Sequence, residues 1–363
     1  MPLVAHSELP TFKHLREQGH DLLTMDRAVH QDIRELHIGF LNMMPDAALA
    51  ATERQFIRLV GSCNRIAQFF VYPFSLPELP RSAETLEYIE RYYSNFEDLR
   101  DNGLDALIIT GANVVNPDLT QESFWEPLID IVTWAEDNVA STLCSCLATH
   151  ALLKHFYNVD RQPLPQKLWG IYSHRVRHPD NLLLRDINTR FNVPHSRHND
   201  ISRDQLEAVG LKVLVESDEG SVHMASSRDE FRTIYFQGHP EYDINSLLKE
   251  YKRETKRFLK GELNTPPPFP EDYFPPEAQQ LARDWLESVT DARDKGEPLP
   301  KMPEREIESF LDNTWGDTAK AIVANWLGLV YQFTDLDRKK QFMPGLAFPQ
   351  DCGVEQSGSS SGS

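Results

Sequence analysis

A cysteine at the junction of a predicted strand and a predicted helix is the first residue of this sequence that could do chemistry. The apolar run reaching Cys144 predicts a buried strand, and the pattern from Leu147 onward is typical of a helix. A thiol at such a turn stands at the carboxyl edge of a sheet, next to helix amides that favour a thiolate and an oxyanion. We therefore predict a nucleophile at Cys146 rather than at Cys144, which lies inside the strand.

A second segment could supply the other two members of a nucleophilic relay. Gly238-His239-Pro240-Glu241 follows a predicted strand and precedes a predicted helix. Pro240 restricts the backbone between His239 and Glu241, so the imidazole can face a thiol while the carboxylate orients its other nitrogen. Each segment alone also fits a plainer interpretation, as a small buried residue or as a solvated turn. Together they predict a Cys-His-Glu relay.

Alternating strand and helix patterns would position these residues. Apolar runs in the first half predict strands at 36–41, 66–72, 106–110 and 140–144. Helical patterns lie between them, including one with a capping-box signal at Thr52 and an amphipathic run at 125–134. This order favours an α/β fold with a doubly wound, mostly parallel sheet flanked by helices.

The second half of the chain is less regular. Residues 167–199 break the pattern and predict a loop region, after which strands are predicted at 211–216, 223–226 and 233–236, and helices at 244–259 and 318–333. The stretch 264–310, rich in Pro and charge, predicts a surface excursion within a single domain at 1–345 that ends in a helical extension. The Ser/Gly-rich end at 346–363 predicts a flexible tail.

Composition excludes several classes of function. The 363 residues include 37 Lys and Arg against 55 Asp and Glu, a net charge of −18, which argues against nucleic-acid and anionic-membrane binders. There is no apolar run of about eighteen residues and no secretory signal pattern, so we expect a cytoplasmic protein. The 4 cysteines are too irregularly spaced for a zinc site or a disulfide framework, and no metal is expected.

Motifs along nearly the whole chain carry a resemblance to a known family. Beside the Cys146 turn and Gly238-His239-Pro240-Glu241-Tyr242-Asp243, they are Asn42-Met43-Met44-Pro45, Asn95-Phe96-Glu97-Asp98, Thr110-Gly111-Ala112, Pro194-His195-Ser196-Arg197 and Asn325-Trp326-Leu327. The chain resembles the homoserine O-acyltransferases, the succinyl and acetyl family, whose fold is similar to that of class I glutamine amidotransferases. The resemblance implies a ping-pong reaction in methionine biosynthesis, in which an acyl group passes from coenzyme A to a cysteine and then to the hydroxyl of L-homoserine.

The resemblance also implies a role for six side chains. Cys146 would accept the acyl group, His239 would be the general base, and Glu241 would orient it. Positions that contact substrate in the family match Lys167, Ser196 and Arg253. An arginine there could hold the amino acid's carboxylate in a bidentate pair, and the serine could bond the substrate's polar end.

Two departures from the family pattern concern the acyl donor. The family has lysines after its Asn-x-Met-Pro motif, one of them catalytic, whereas Asp46 follows Pro45 here. The position that separates succinyl from acetyl donors, usually Gly or Glu, is Val115, which does not repel a carboxylate as Glu would. Succinyl-CoA is therefore favoured as co-substrate, with acetyl-CoA as the alternative, and no bound cofactor is expected.

Partners and alternatives follow from the same residues. A polyanionic coenzyme A needs local cations in this acidic chain, and the basic cluster His174, Arg175, Arg177 and His178 is a hypothetical phosphate-facing patch. The resemblance suggests a homodimer. Two other classes stay open: a glutamine amidotransferase or hydrolase with the same relay, and a binding protein that has lost catalysis.

Overall fold

The structure, a computed structural model, describes residues 3–63 and 67–345. The predicted flexible tail at 346–363 and the cysteine within it lie outside the described residues. Strands and helices alternate through most of the described chain, and two short 3-10 helices at Leu119–Gln121 and Leu182–Leu184 join some of them.

The strands form one large sheet and one small ribbon. In chain order they are β1 (Val4–Ala5), β2 (Leu23–Thr24), β3 (Glu35–Leu41), β4 (Gln68–Phe74), β5 (Ala106–Ile109), β6 (Ser141–Ser145), β7 (Gln162–Val176), β8 (Arg190–Asp200), β9 (Lys212–Ser217), β10 (Val222–Ser226) and β11 (Thr233–Phe236).

The helices pack around the sheet and continue beyond it. In chain order they are α1 (Pro10–Glu17), α2 (Met25–Val29), α3 (Asp46–Gly61), α4 (Ala83–Tyr92), α5 (Phe96–Asn102), α6 (Trp125–Asn138), α7 (Leu147–Tyr157), α8 (Arg203–Ala208), α9 (Ser246–Leu259), α10 (Pro276–Lys295), α11 (Glu304–Glu308) and α12 (Gly316–Phe333).

The large sheet has the strand order β4-β3-β5-β6-β11-β10-β9-β7-β8. Its first five strands pair in parallel, and each pairing from β11 to β8 is antiparallel. The predicted α/β fold with a helix-flanked sheet is therefore confirmed, and β9, β10 and β11 also lie where strands were predicted, at 211–216, 223–226 and 233–236. Because β6 and β11 are parallel neighbours, their carboxyl ends meet at one edge of the sheet, with Ser145 beside Phe236.

Two apolar layers bury the parallel strands. Along β5, Ala106 and Ile108 face one layer, which helices α1, α3 and α12 cover, while Leu107 and Ile109 face the other, which α6 and α7 cover. This alternation follows from the two-residue period of a strand. Strands buried on both faces have near-continuous apolar sequences, which is why these runs were predictable.

The first major difference from the prediction concerns residues 167–199, which lie largely in a long antiparallel hairpin of β7 and β8. The loop prediction is wrong because the hairpin buries polar side chains against one another. His174 and His195, one on each strand, are both buried and joined between their Nε2 atoms at 3.2 Å, and a register shift between Pro163 and Leu168 further disturbs the alternation.

Two further predictions differ from the structure: the start of α3 and the packing of the stretch 264–310. The capping-box signal at Thr52 falls inside α3, which begins six residues earlier at Asp46, after Pro45. The stretch 264–310 contains the long helix α10, whose buried residues include Ala282 and Trp285. They join a third apolar cluster with Leu248 of α9, so this stretch packs against the domain instead of lying free on its surface.

Candidate active site

The predicted nucleophile lies on a strained turn between a strand and a helix. Cys146 has a φ of 54° and a ψ of −113°, directly after β6 and directly before α7. A non-glycine residue holds such a conformation only where the surrounding structure enforces it. Here the Cys146 amide donates a hydrogen bond of 2.8 Å to the Phe236 carbonyl at the end of β11. The turn leaves the thiol residue partly exposed at the carboxyl edge of the sheet.

His239 and Glu241 form the expected pair beside this edge. His239 Nδ1 donates to Glu241 Oε1 at 2.8 Å, and both side chains are buried. The His239 amide donates to the Pro194 carbonyl at 2.8 Å, which anchors the turn to β8. The other ring nitrogen, Nε2, is buried and has no hydrogen-bond partner within the described ranges. The imidazole is thus oriented on one side and available on the other.

The charges around His239 favour its protonated form. Burial alone would lower its pKa, but the Glu241 carboxylate and the nearby Cys146 sulfur outweigh burial and hold the pKa of His239 well above its ordinary value. An imidazolium between a carboxylate and a sulfur is the electrostatic arrangement of a thiolate ion pair.

Gly111 leaves the space next to the thiol open. A Cβ atom at this position would lie 3.4 Å from Cys146 Cβ and 3.6 Å from the Leu147 nitrogen. Leu147 is the first residue of α7, so its amide has no partner inside the helix and is free to face an oxyanion. A glycine after β5 and a helix amide after β6 therefore line the same small space.

Gln237 fixes the chain just before the histidine. Its side-chain amide donates to the carbonyls of Ile201 and Val222, and its oxygen accepts from the Ile201 amide and pairs with His150 Nε2 at 2.9 Å. These bonds tie the end of β11 to three neighbouring segments, which limits how far His239 can move.

A second cluster forms around a carboxylate on α9. Glu250 Oε2 lies 3.2 Å from Lys167 Nζ and accepts a hydrogen bond of 2.6 Å from Ser196 Oγ. Its other oxygen accepts from Tyr242 Oη at 2.7 Å. Burial raises the pKa of Glu250, but Lys167 and the two hydroxyl donors outweigh it, so the pKa is lowered and the group is ionised. Two predicted substrate-binding residues thus meet at one carboxylate.

The third predicted substrate-binding residue, Arg253, is not in contact with this carboxylate. Its side chain is 53% exposed, and its guanidinium pairs with Glu254 at 3.0 Å. It follows Glu250 by three residues on α9, so the two side chains share a face of the helix. The structure therefore places Arg253 beside the cluster, on its solvent side.

Val115 is held by its backbone and not by its side chain. The amides of Val115 and Asn116 both donate to Glu122 Oε1, at 2.8 and 2.6 Å, while the Val115 side chain is 91% exposed. Arg161 holds the same loop from the other side, by donating to the carbonyls of Asn116 and Pro117 at 3.1 Å. Burial lowers the pKa of Arg161, and the nearby Glu122 and Cys146 raise it by a smaller amount. The loop of Val115 is therefore anchored close to the thiol.

The segment after Pro45, where the family has lysines, lies against an arginine from another element. The buried Arg81 side chain donates to the carbonyl oxygens of Met44 and Asn42 and pairs with Asp46. These contacts hold the segment in place. The Arg81 side chain is only 2% exposed.

The predicted phosphate patch is wrong in the form in which it was proposed. His174 is buried within the sheet, Arg175 pairs with Asp218, and Arg177 pairs with the buried Glu216. The patch failed because sequence position alone does not reveal which acidic side chains a neighbouring strand brings opposite.

Glu250 and Tyr242 were missed as members of the site. In the sequence, Tyr242 belongs to the Gly238–Asp243 motif and Glu250 to the helix predicted at 244–259, and neither is predicted as a site residue. The available signal was spacing, because Glu250 precedes Arg253 by one helical turn and Tyr242 directly follows Glu241.

Within residues 3–63 and 67–345, no group of three or more His, Cys, Asp or Glu side chains is arranged to hold a metal ion. In the same ranges, no helix is both long and apolar enough to cross a membrane.

The helix-flanked sheet, the strained cysteine turn and the adjacent His-Glu pair are the arrangement expected of an α/β enzyme with a thiol nucleophile. The homoserine O-succinyltransferase family model matches residues 2–336. Curated relatives of that name are 58% identical in Nitrosococcus oceani, over 97% of this chain and 98% of the relative, and 57% identical in Allochromatium vinosum, over 95% and 97%. The chain belongs to the homoserine O-succinyltransferase family, so the predicted resemblance is confirmed.

Solved structures of lower similarity were also found. A glutamine amidotransferase from Methylobacillus flagellatus is 14% identical with a TM-score of 0.44, covering 82% of this chain and 95% of its own. One from Thermotoga maritima is 8% identical with a TM-score of 0.43, covering 81% and 97%.

Proposed function

We propose that this protein is a homoserine O-succinyltransferase that works by a ping-pong reaction through a thioester on Cys146. The observation that carries this proposal is the meeting of Cys146, on its strained turn, with the His239-Glu241 pair at the ends of two neighbouring parallel strands. The reaction is inferred from membership of the family, and the roles of the residues are inferred from this geometry. The product is an O-succinylated amino acid of methionine biosynthesis.

In the first half-reaction, the Cys146 sulfur attacks the thioester carbonyl of succinyl-CoA. A carbon–sulfur bond forms to Cys146 and the bond to the coenzyme A sulfur breaks. The proton from the cysteine resides on His239 and passes to the departing coenzyme A thiolate. The Leu147 amide, in the space that Gly111 leaves open, stabilises the oxyanion between these events.

In the second half-reaction, the L-homoserine hydroxyl attacks the succinyl thioester. His239 accepts the hydroxyl proton, the carbon–oxygen bond forms and the Cys146 thiolate departs. Glu250 is the group suited to the ammonium of homoserine, because it is an ionised carboxylate near the relay. Ser196 and Lys167 hold Glu250 and border the same subsite, and Arg253 is available to the substrate carboxylate.

Intact-mass measurement tests this function. Incubation with succinyl-CoA should add one succinyl group to the wild-type chain and none to Cys146→Ala, and L-homoserine should then remove the adduct. Succinyl-CoA should acylate the protein at least as fast as acetyl-CoA, because Val115 places no carboxylate against the succinyl group. Cys63→Ala is a matched control, since burial alone raises the pKa of the Cys63 thiol to about 12. An adduct that persists in Cys146→Ala, or one that only L-serine removes, would contradict the proposal.

The homodimer and the cytoplasmic location belong to the same proposal. A reaction that consumes coenzyme A esters takes place where those esters are made, which supports the location. Light scattering of the purified protein measures the subunit number, and a monomeric mass at micromolar concentration would contradict the dimer.

A further inference from the structure

We propose that Tyr242 is a positioning residue that joins the catalytic base to the amino-acid subsite, through its ring to His239 and through its hydroxyl to Glu250. The inference rests on the proposed function, since it assigns the Tyr242 hydroxyl to the second half-reaction and the Tyr242 ring to the base that both half-reactions use. Tyr242 stands directly after the His239-Pro240-Glu241 turn, and its two contacts face the two clusters of the site.

The ring contact orients the imidazole. The rings of His239 and Tyr242 are stacked, with centroids 4.3 Å apart and planes 17° from parallel. Glu241 holds one edge of the imidazole through Nδ1, but a single hydrogen bond leaves the ring free to tilt about it. The tyrosine face removes this freedom, and an aromatic face also stabilises a protonated imidazole stacked on it.

The hydroxyl contact orients the carboxylate. Tyr242 Oη donates to Glu250 Oε1 at 2.7 Å, the oxygen that Lys167 and Ser196 do not contact. Burial and the adjacent carboxylates of Glu250 and Glu241 raise the pKa of Tyr242 well above its ordinary value, so the phenol keeps its proton and stays a donor. Each oxygen of Glu250 therefore has its own fixed donor.

The backbone of Tyr242 is itself anchored. Its amide donates to the His239 carbonyl at 3.3 Å, and its carbonyl accepts from Trp315 Nε1 at 3.1 Å. Trp315 belongs to the third apolar cluster, which the helices after α9 complete. The ring therefore has a fixed origin between the base and the carboxylate, and the C-terminal helices hold it there.

The two contacts predict different effects on the two half-reactions. Tyr242→Phe keeps the stack and removes only the donor to Glu250. We expect its thioester to form from succinyl-CoA within about twofold of the wild-type rate. Discharge by L-homoserine should slow about tenfold with a raised KM for homoserine, because one hydrogen bond to a charged group is lost.

Tyr242→Leu removes both contacts and should slow both half-reactions. It should also shift the pH dependence of Cys146 alkylation by iodoacetamide, a readout that needs no coenzyme A, while Tyr242→Phe should not. Tyr251→Phe is the matched control, because Tyr251 is a buried tyrosine on α9 whose hydroxyl has no hydrogen-bond partner in the described chain. All three variants are compared by rapid-quench mass measurement of each half-reaction.

Either of two results would overturn the inference: discharge of Tyr242→Phe at the wild-type rate, or equal loss in both half-reactions of Tyr242→Phe. An unchanged pH profile of Cys146 alkylation in Tyr242→Leu would show that the ring contact does not orient His239. Failure of the proposed function gives a different result, in which wild-type protein forms no thioester from succinyl-CoA while the alkylation difference between Tyr242→Leu and Tyr242→Phe persists.

Discussion

At the scale of single residues, the Cys146 sulfur and the His239 ring depend on each other's charge. Glu241 and Cys146 hold the pKa of His239 above its ordinary value against the opposing effect of burial. A protonated imidazole beside a sulfur favours nucleophilic attack by that sulfur. The reactivity of the cysteine therefore depends on a carboxylate that does not touch it.

Glu241→Gln tests this dependence. The glutamine keeps a hydrogen-bond acceptor for His239 Nδ1 but removes the charge, so the pKa of His239 falls and the ion pair weakens. Alkylation of Cys146 by iodoacetamide at pH 7 should slow about tenfold, equivalent to about one pKa unit of lost stabilisation. Glu262→Gln serves as the control, because it removes an exposed carboxylate that pairs with Arg257. An alkylation rate at pH 7 equal to wild type would count against the ion pair.

The proposed relay can be predicted from sequence because each of its residues lies in a short local motif at a strand end, and the structure brings His239 and Glu241 into contact. Glu250 could not, because its meaning depends on Lys167, which is 83 residues away, and on Ser196, which is 54 away. No local pattern encodes that a helix and a hairpin bring these groups within hydrogen-bonding distance.

At the scale of elements, the parallel half of the sheet was predictable and the hairpin was not. Strands β3 to β6 are largely buried runs, whereas β7 and β8 bury two histidines, His174 and His195, that contact each other across the hairpin. The hairpin matters for function, since β7 carries Lys167 and β8 carries Ser196. The least predictable element therefore holds part of the proposed amino-acid subsite.

The loop of Val115 is the element expected to control the acyl donor. Arg161→Met removes the two hydrogen bonds to the carbonyls of Asn116 and Pro117 and should let the loop move relative to Cys146. We expect the KM for succinyl-CoA to rise about tenfold, as for the loss of one or two hydrogen bonds, with little change in the KM for homoserine. Steady-state kinetics measure both constants.

Arg100→Met, which removes an exposed pair with Glu97, is the control for charge. If Arg161→Met raised the KM for homoserine and left that for succinyl-CoA unchanged, the loop would not contact the donor.

At the scale of the whole molecule, the net charge of −18 must be balanced locally wherever an anionic substrate binds. Many arginines of the described chain are already paired, as Arg177 and Arg203 are with the buried Glu216. Of the arginines placed near the site, Arg253 pairs only with the neighbouring Glu254 and is half exposed, and Arg161 donates to backbone carbonyls. Local cations of this kind matter more to an anionic substrate than the total charge does.

Buried neutral histidines predict how stability responds to acid. Burial lowers the pKa of His37 and His150 to about 3 and that of His174 to about 4, and it places those of His195 and His223 well below their ordinary value. In the unfolded chain these groups take up protons near pH 6.5, so the free energy of unfolding falls as pH decreases from about 6.5 to 4. Burial raises the pKa of Asp105 to about 6, so this carboxyl stabilises the folded chain as the pH falls and offsets part of the effect of the histidines.

Thermal unfolding between pH 7 and pH 5 measures the effect. The melting temperature should fall as the pH is lowered. His174→Gln should lessen the slope of the free energy of unfolding against pH by up to about 1.4 kcal/mol per pH unit, the value for one proton. His14→Gln, at an exposed position, serves as the control. A melting temperature that rises toward pH 5 would contradict the neutral state of these histidines.

The most direct test of the central claim is exchange of labelled coenzyme A into succinyl-CoA in the absence of homoserine. A ping-pong enzyme with a thioester on Cys146 catalyses this exchange alone, because the first half-reaction is complete and reversible without the acceptor. The account predicts rapid exchange by the wild-type protein and none by Cys146→Ala. Exchange that requires L-homoserine, or that persists in Cys146→Ala, would contradict it.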